Sequence, residues 1–190
     1  MAATDTQPAS PLRQIRVWDP LLRLFHWSLV GLFTANAFFT DDESKLHEWV
    51  GYAVIGLLVF RLLWGLIGPK YARFKSFWPS AEAIRAQLTD IATGRRRAHI
   101  GHTPLGALMI FNLIVTLAGI GVTGYMMTTN AFWGMEWVEE AHEALVTWAE
   151  LSIVAHIAAV IWESLRSGVN LPRAMVTGVK TLPDDLETET

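Results

Sequence analysis

Apolar residues run almost unbroken through four stretches, at about 20–40, 45–67, 104–128 and 138–165, and polar residues collect between them. Each stretch has the roughly 20 residues that an α-helix needs to cross a hydrocarbon core at about 1.5 Å per residue. The expected fold is therefore an all-α membrane protein, a bundle of four transmembrane helices. Start and stop signals frame the stretches. Asp19-Pro20 and Thr103-Pro104 each place a capping side chain before a proline that fits the first helical turn, and "LIGPK" closes the second stretch with glycine and proline.

Between the second and third stretches, "SAEAIRAQLTDIATG" spaces apolar residues at helical period after Ser80. That pattern predicts a short helix over about 80–94 lying at the membrane surface. Residues 1–17, opening "MAATDTQPASPLRQI", are polar and proline-containing and lack the apolar run of a signal peptide, so they are expected to form a mobile leader. The membrane domain is expected over 18–170, followed by a polar tail over 171–190.

Charge orients the bundle. Of 15 Lys and Arg residues, only Lys45 lies at the end of the bundle where the first stretch leads into the second and the third into the fourth; the others flank the opposite ends or fill the central connection, densest at Arg95-Arg96-Arg97. The positive-inside rule then makes that connection and both termini cytoplasmic. The other face is acidic, with Asp41, Asp42, Glu43 and Glu48 after the first stretch and Glu136, Glu139, Glu140 and Glu143 after the third. In a bacterial inner membrane that face is periplasmic.

Composition agrees: 52% hydrophobic and 17% charged is too apolar for an ordinary soluble domain of 190 residues. A net charge of -3 provides no global field toward nucleic acid. The absence of cysteine excludes disulfides, thiolate metal sites, iron–sulfur clusters and haem attached through Cys-x-x-Cys-His.

Four of the six histidines fall on the apolar stretches: His26 on the first, His47 on the second, His142 and His156 on the fourth. Any one of them can serve packing alone by bonding a neighbouring helix. Together they fit a geometry. His142 and His156 are two heptads apart, about 21 Å along a helix, and face one side of it at two depths. His26 enters from the cytoplasmic side to the depth of His156, and His47 from the periplasmic side to the depth of His142. Facing imidazoles on different helices can supply both axial nitrogens of a b-type haem, so the two pairs predict two haems stacked across the membrane. Zinc usually wants four strong ligands, and each depth offers two.

With these segments in order, "VWDPLLRLFHW", "KLHEWVGY", "GHTPLGALMI", the His142/His156 pair and "VNLPRAMVTGVK", the chain from about Arg16 to Lys180 resembles the bacterial four-helix di-haem cytochromes b, which include the membrane subunits of nickel–iron hydrogenases. The resemblance implies that His26, His47, His142 and His156 are the axial iron ligands. It also implies electron transfer between a periplasmic partner, a cytochrome or a hydrogenase-like oxidoreductase, and the quinone pool.

Other residues are candidates to support the cofactors. Arg23, Arg61 and Arg166 can pair with haem propionates or snorkel to the interface. His102, and less so His99, can donate to a propionate or carry protons to quinone. Trp18, Trp27, Trp49, Trp78, Trp133 and Trp137 are expected to form an interfacial belt, Trp27 and Trp49 also standing beside ligand positions. Gly31, Gly51, Gly56, Gly119, Gly121 and Gly124 leave room for close helix contact or for a haem ring. The competing readings are a cofactor-free anchor, a proton or metal pathway through the same histidines, and a superoxide:quinone oxidoreductase. Eight carboxylates against Lys45 give the periplasmic face a formal -7, which favours a partner with a basic patch over a small anion.

Overall fold

Side-chain caps begin most of the helices where the sequence places them. The Asp19 carboxylate accepts from the amides of Leu21 and Leu22 and starts α1 (Pro20–Phe38). Ser44 accepts from His47 N to start α2 (Lys45–Ile67), Ser80 from Ala83 N to start α3 (Ala81–Thr93), and Thr103 from Gly106 N to start α4 (Pro104–Met127). α5 (Glu136–Ser167) has no side-chain cap; Glu136 and Glu139 stand in its first turn, where acids offset the positive end of the helix dipole. The computed structural model describes residues 13–182 and 187–189.

α4 packs most extensively on α5, α1 on α2, and α2 on α4, while α1 and α5 have no comparable packing between them. The bundle is thus a row folded round on itself with one open side. Small residues allow close helix approach, Gly119 under Leu145 and Gly121 under Ile55. One apolar cluster, Val54, Leu58 and Leu117 with Leu32 and Phe33 against it, joins α1, α2 and α4 within the bundle. The larger cluster lies at the end that carries the basic connection, and includes Trp18, Leu22, Phe25, Ala72, Ile100, Val169, Ala174 and Leu182.

Among the described residues, α2, α4 and α5 are long and apolar enough to cross a membrane. Four such helices are expected from the sequence. α1 has 19 residues, and Arg23, His26 and Asn36 dilute its apolar character. The α5 window that qualifies as a span is only 11% buried within the protein, so its surface awaits lipid or another apolar partner.

The chain ends meet. A strand, β1 (Arg13–Arg16), pairs antiparallel with β3 (Val179–Leu182), which follows α6 (Leu171–Thr177). Gly178 makes the turn between α6 and β3 at φ 84°, and its carbonyl accepts from Val17 N and Trp18 N. A Cβ there would meet the Trp18 carbonyl oxygen at 2.7 Å, so glycine serves both the dihedral and the fit. Within the expected leader, residues 13–16 are hydrogen-bonded sheet and Val17 is buried. Residues 1–12 of the leader and 183–186 and 190 of the tail lie outside the described residues. A second pair, β2 (Arg97–His99) with β4 (Glu187–Glu189), runs parallel. α3 is tied down by polar contacts: Gln87 Oε1 accepts from Leu105 N at 2.9 Å, and Asp90 pairs with Arg97 at 3.3 Å.

Candidate functional site

The start of α2 and the first turns of α5 bring His47 and His142 together, with ring centres 6.4 Å apart and planes inclined at 61°. With metal–imidazole bonds of about 2 Å and roughly 1 Å from nitrogen to ring centre, two imidazoles on one iron have centres about 6 Å apart. The spacing therefore fits a bis-histidine haem.

The hydrogen bonds select the tautomer. Thr123 Oγ1 donates to Gly119 O at 2.9 Å and lies 3.0 Å from His142 Nδ1. Thr40 Oγ1 donates to Asn36 O at 2.8 Å and lies 3.3 Å from His47 Nδ1. A hydroxyl has one proton, so with that proton committed to a carbonyl each threonine accepts from its histidine. Both rings are then protonated at Nδ1, and both Nε2 lone pairs are left for a metal, the arrangement that outer-shell partners impose on ligating histidines. Gly124 lets the α4 backbone approach the same ring, since a Cβ there would stand 3.2 Å from His142 Cε1.

His26 on α1 and His156 on α5 lie close enough to interact electrostatically. His26 Nδ1 is buried without a hydrogen-bond partner, and so is Nε of Arg23, one turn earlier. Buried polar groups are normally satisfied. Two orphans on neighbouring turns beside a pair of imidazoles suit a bound group that brings its own acceptors, as haem does with its carboxylates. Trp27 stands edge-on to His26 with centres 5.1 Å apart. A Cβ at Gly31, Gly51 or Gly56 would meet nothing within 4 Å, so packing within the protein does not require glycine there.

The remaining candidates sit at the end of the bundle that carries the basic connection and are held by the protein. Arg61 is buried, donates to Ala72 O at 3.1 Å and lies 4.5 Å over the Phe74 ring, so it neither snorkels nor presents a free guanidinium. Arg166 closes its fork on Glu163 at 3.0 and 3.2 Å and gives a third bond to Arg95 O. His102 is sandwiched between Phe77 and Trp18, with ring centres at 4.3 and 4.5 Å. Burial, reinforced by Lys180 and Arg61, holds its pKa down to about 3, so the ring is neutral. Lys180, 3% exposed, donates to His99 O and Gly101 O at 3.0 and 2.7 Å, and burial lowers its pKa to about 8. Trp49, Trp78, Trp133 and Trp137 are exposed, as expected of a belt.

Thr40, Thr123 and Lys180 are functional candidates that sequence reasoning does not single out. It also passes over a polar link at mid-depth between α4 and α5, where Asn112 donates to Ser152 at 2.9 Å and accepts from Trp148 Nε1 at 3.0 Å.

Compared with known proteins, residues 17–178 match the sequence model of a family described as prokaryotic cytochrome b561. No curated protein and no solved structure gives a significant match.

Proposed function

The chain belongs to the prokaryotic cytochrome b561 family, and from that premise we propose that it holds two b haems between four transmembrane helices and passes electrons between a periplasmic redox protein and quinone. The coarser statement follows from membership itself: the family consists of membrane b-type cytochromes that bind haem b and transfer electrons. Bound haem supplies reversible one-electron iron chemistry; the protein's part is ligation, orientation and shelter from water.

In this reading His47 and His142 hold the periplasmic-side haem, and His26 and His156 the cytoplasmic-side one. The observation that carries it is the 6.4 Å spacing of His47 and His142, with both Nδ1 atoms directed at threonine hydroxyls. α1 counts as the fourth span because its 19 residues reach about 28 Å, close to the hydrocarbon thickness. The charge bias supports the orientation with both termini cytoplasmic in a bacterial inner membrane. Seven of the eight periplasmic carboxylates belong to exposed residues, and Lys45, the one cation on that face, is spent on Glu48 at 2.7 Å. Such a face attracts a basic patch on a cytochrome or hydrogenase-like oxidoreductase and repels superoxide.

The test is spectroscopic. The purified protein should show a reducible haem b Soret band at two haems per chain; His142→Ala and His156→Ala should each remove one, with distinct potentials for the haem that remains. Absence of a reducible band rejects the cytochrome reading, and two intact haems in either variant reject the pairing. A reporter fused after Lys180 should read cytoplasmic, and a periplasmic reading exchanges the two haem labels.

A further inference from the structure

The contact between Thr123 and His142 fixes the register of two antiparallel helices, α4 and α5, and that register continues along both. Further down the seam Asn112 donates to Ser152 at 2.9 Å, so numbers falling on α4 match numbers rising on α5. Two heptads from Thr123 in that sense lies Met109, and two heptads from His142 lies His156. Both steps rise about 21 Å and return a helix to within about 40° of the same face. Met109 therefore stands level with His156 on the stripe of α4 where Thr123 stands level with His142. Its sulfur lies on the seam, 4.0 Å from the same Asn112 amide nitrogen that bonds Ser152.

The two histidine pairs thus differ in what can receive their ring protons. Thr123 and Thr40 present hydroxyl oxygens to Nδ1 of His142 and His47. His26 Nδ1 is buried without a protein acceptor, and the side chain level with His156 ends in a thioether, a weak acceptor. A hydrogen bond from Nδ1–H to oxygen makes the ring a more basic ligand, and a more basic ligand favours ferric over ferrous iron. Charge acts in the same direction. Glu136, Glu139, Glu140 and Glu143 surround the α5 turns that lead to His142, whereas Arg23 stands one turn before His26. Ferric iron carries one more positive charge than ferrous, so carboxylates favour it and a guanidinium disfavours it.

Resting on the two-haem reading above, we propose that Thr123 and Thr40 hold the haem at His47 and His142 at a lower potential than the haem at His26 and His156, where Met109 takes the place of the threonine. An electron received from a redox protein at the acidic end then passes downhill to the basic end. One iron goes from ferrous to ferric, the other from ferric to ferrous, and no proton moves. Both threonines are positioning residues, acting on the iron through the imidazoles.

Potentiometric titration of the purified protein, loaded with excess haem and followed by absorbance, tests the assignment. The wild type should give two one-electron waves. Thr123→Val keeps the side chain's shape and loses its hydroxyl. It should raise the lower wave by about 59 mV, the equivalent of tenfold for one electron and the low end of what outer-shell partners contribute, and leave the upper wave in place. Thr123→Ser should restore the lower wave. Thr40→Val should raise that same wave, and it carries the test if Thr123→Val loses its haem. Met109→Thr, the reverse exchange, should lower the upper wave. A single wave in the wild type, a lower wave unmoved in both valine variants, or an upper wave unmoved by Met109→Thr overturns the assignment. Fewer than two haems bound by the wild type rejects the two-haem reading instead.

Discussion

The Thr123 hydroxyl lies 3.0 Å from His142 Nδ1 while its own proton goes to the Gly119 carbonyl, so α4 orients a ring carried by α5. Removing such an outer-shell partner typically costs about 10–100-fold in metal-site affinity. Thr123→Val is expected to lower occupancy of the haem proposed at His47 and His142 by that order, and Thr123→Ser to restore it. The pyridine haemochrome content of protein purified without added haem measures both.

The acidic rim leads to a kinetic expectation. The Debye length shrinks from about 30 Å at 0.01 M salt to about 10 Å at 0.1 M. Electron exchange with a basic donor such as a cationic cytochrome should slow steeply over that range in stopped flow. Neutralising Glu136, Glu139 and Glu140, all exposed on the first turns of α5, should flatten the dependence. Faster reaction with superoxide, unaffected by these substitutions, reverses the choice of partner.

His102 makes the end of the bundle that carries the basic connection sensitive to acid. Its folded pKa is about 3 against an ordinary value of 6.5, so between these limits the unfolded chain binds a proton that the folded chain does not. Stability is therefore lost as pH falls from about 6.5 towards 3, by about 2 kcal/mol at pH 5 from this group. Unfolding of the wild type against His102→Gln at pH 7 and pH 5 isolates the contribution; the difference should move in favour of the variant at the lower pH.

Asn112 joins Ser152 and Trp148 at mid-depth, where water is scarce. Interhelical hydrogen bonds of this kind are worth about 0.6 kcal/mol on average and up to about 1.7. Asn112→Leu should loosen the α4–α5 contact by this order in a detergent unfolding titration, without loss of haem. Ser152→Ala should repeat part of the effect.

The sequence reports best on what depends on neighbours along the chain. Asp19, Ser80 and Thr103 are legible as caps because a cap and its amide lie two or three residues apart. The depth of His47 and His142 is legible for a related reason: helical rise converts residue number into height. What stays hidden depends on contacts between distant elements. Nothing in the spacing links Thr123 to His142, nineteen residues and a connection away. Arg61 reads as a charge near a span end, and only the fold places the Ala72 carbonyl where its guanidinium can donate. Arg13–Arg16 has a single apolar side chain in four residues, too little alternation to announce a strand.

The strand Arg13–Arg16 finds its partners only at Val179–Leu182. During synthesis those partners do not exist until every span has left the ribosome, so this clasp is among the last contacts to form. Until it closes, α1 is tethered to the bundle mainly through α2, and the side between α1 and α5 stands open. That side stays open in the folded protein as well, so a flat cofactor has an edgewise route between α1 and α5. Once Gly178 turns the chain back and the strands join, the helices bearing His26 and His156 are tied together at the end that carries the basic connection. The clasp thus holds in register two helices that share little packing of their own.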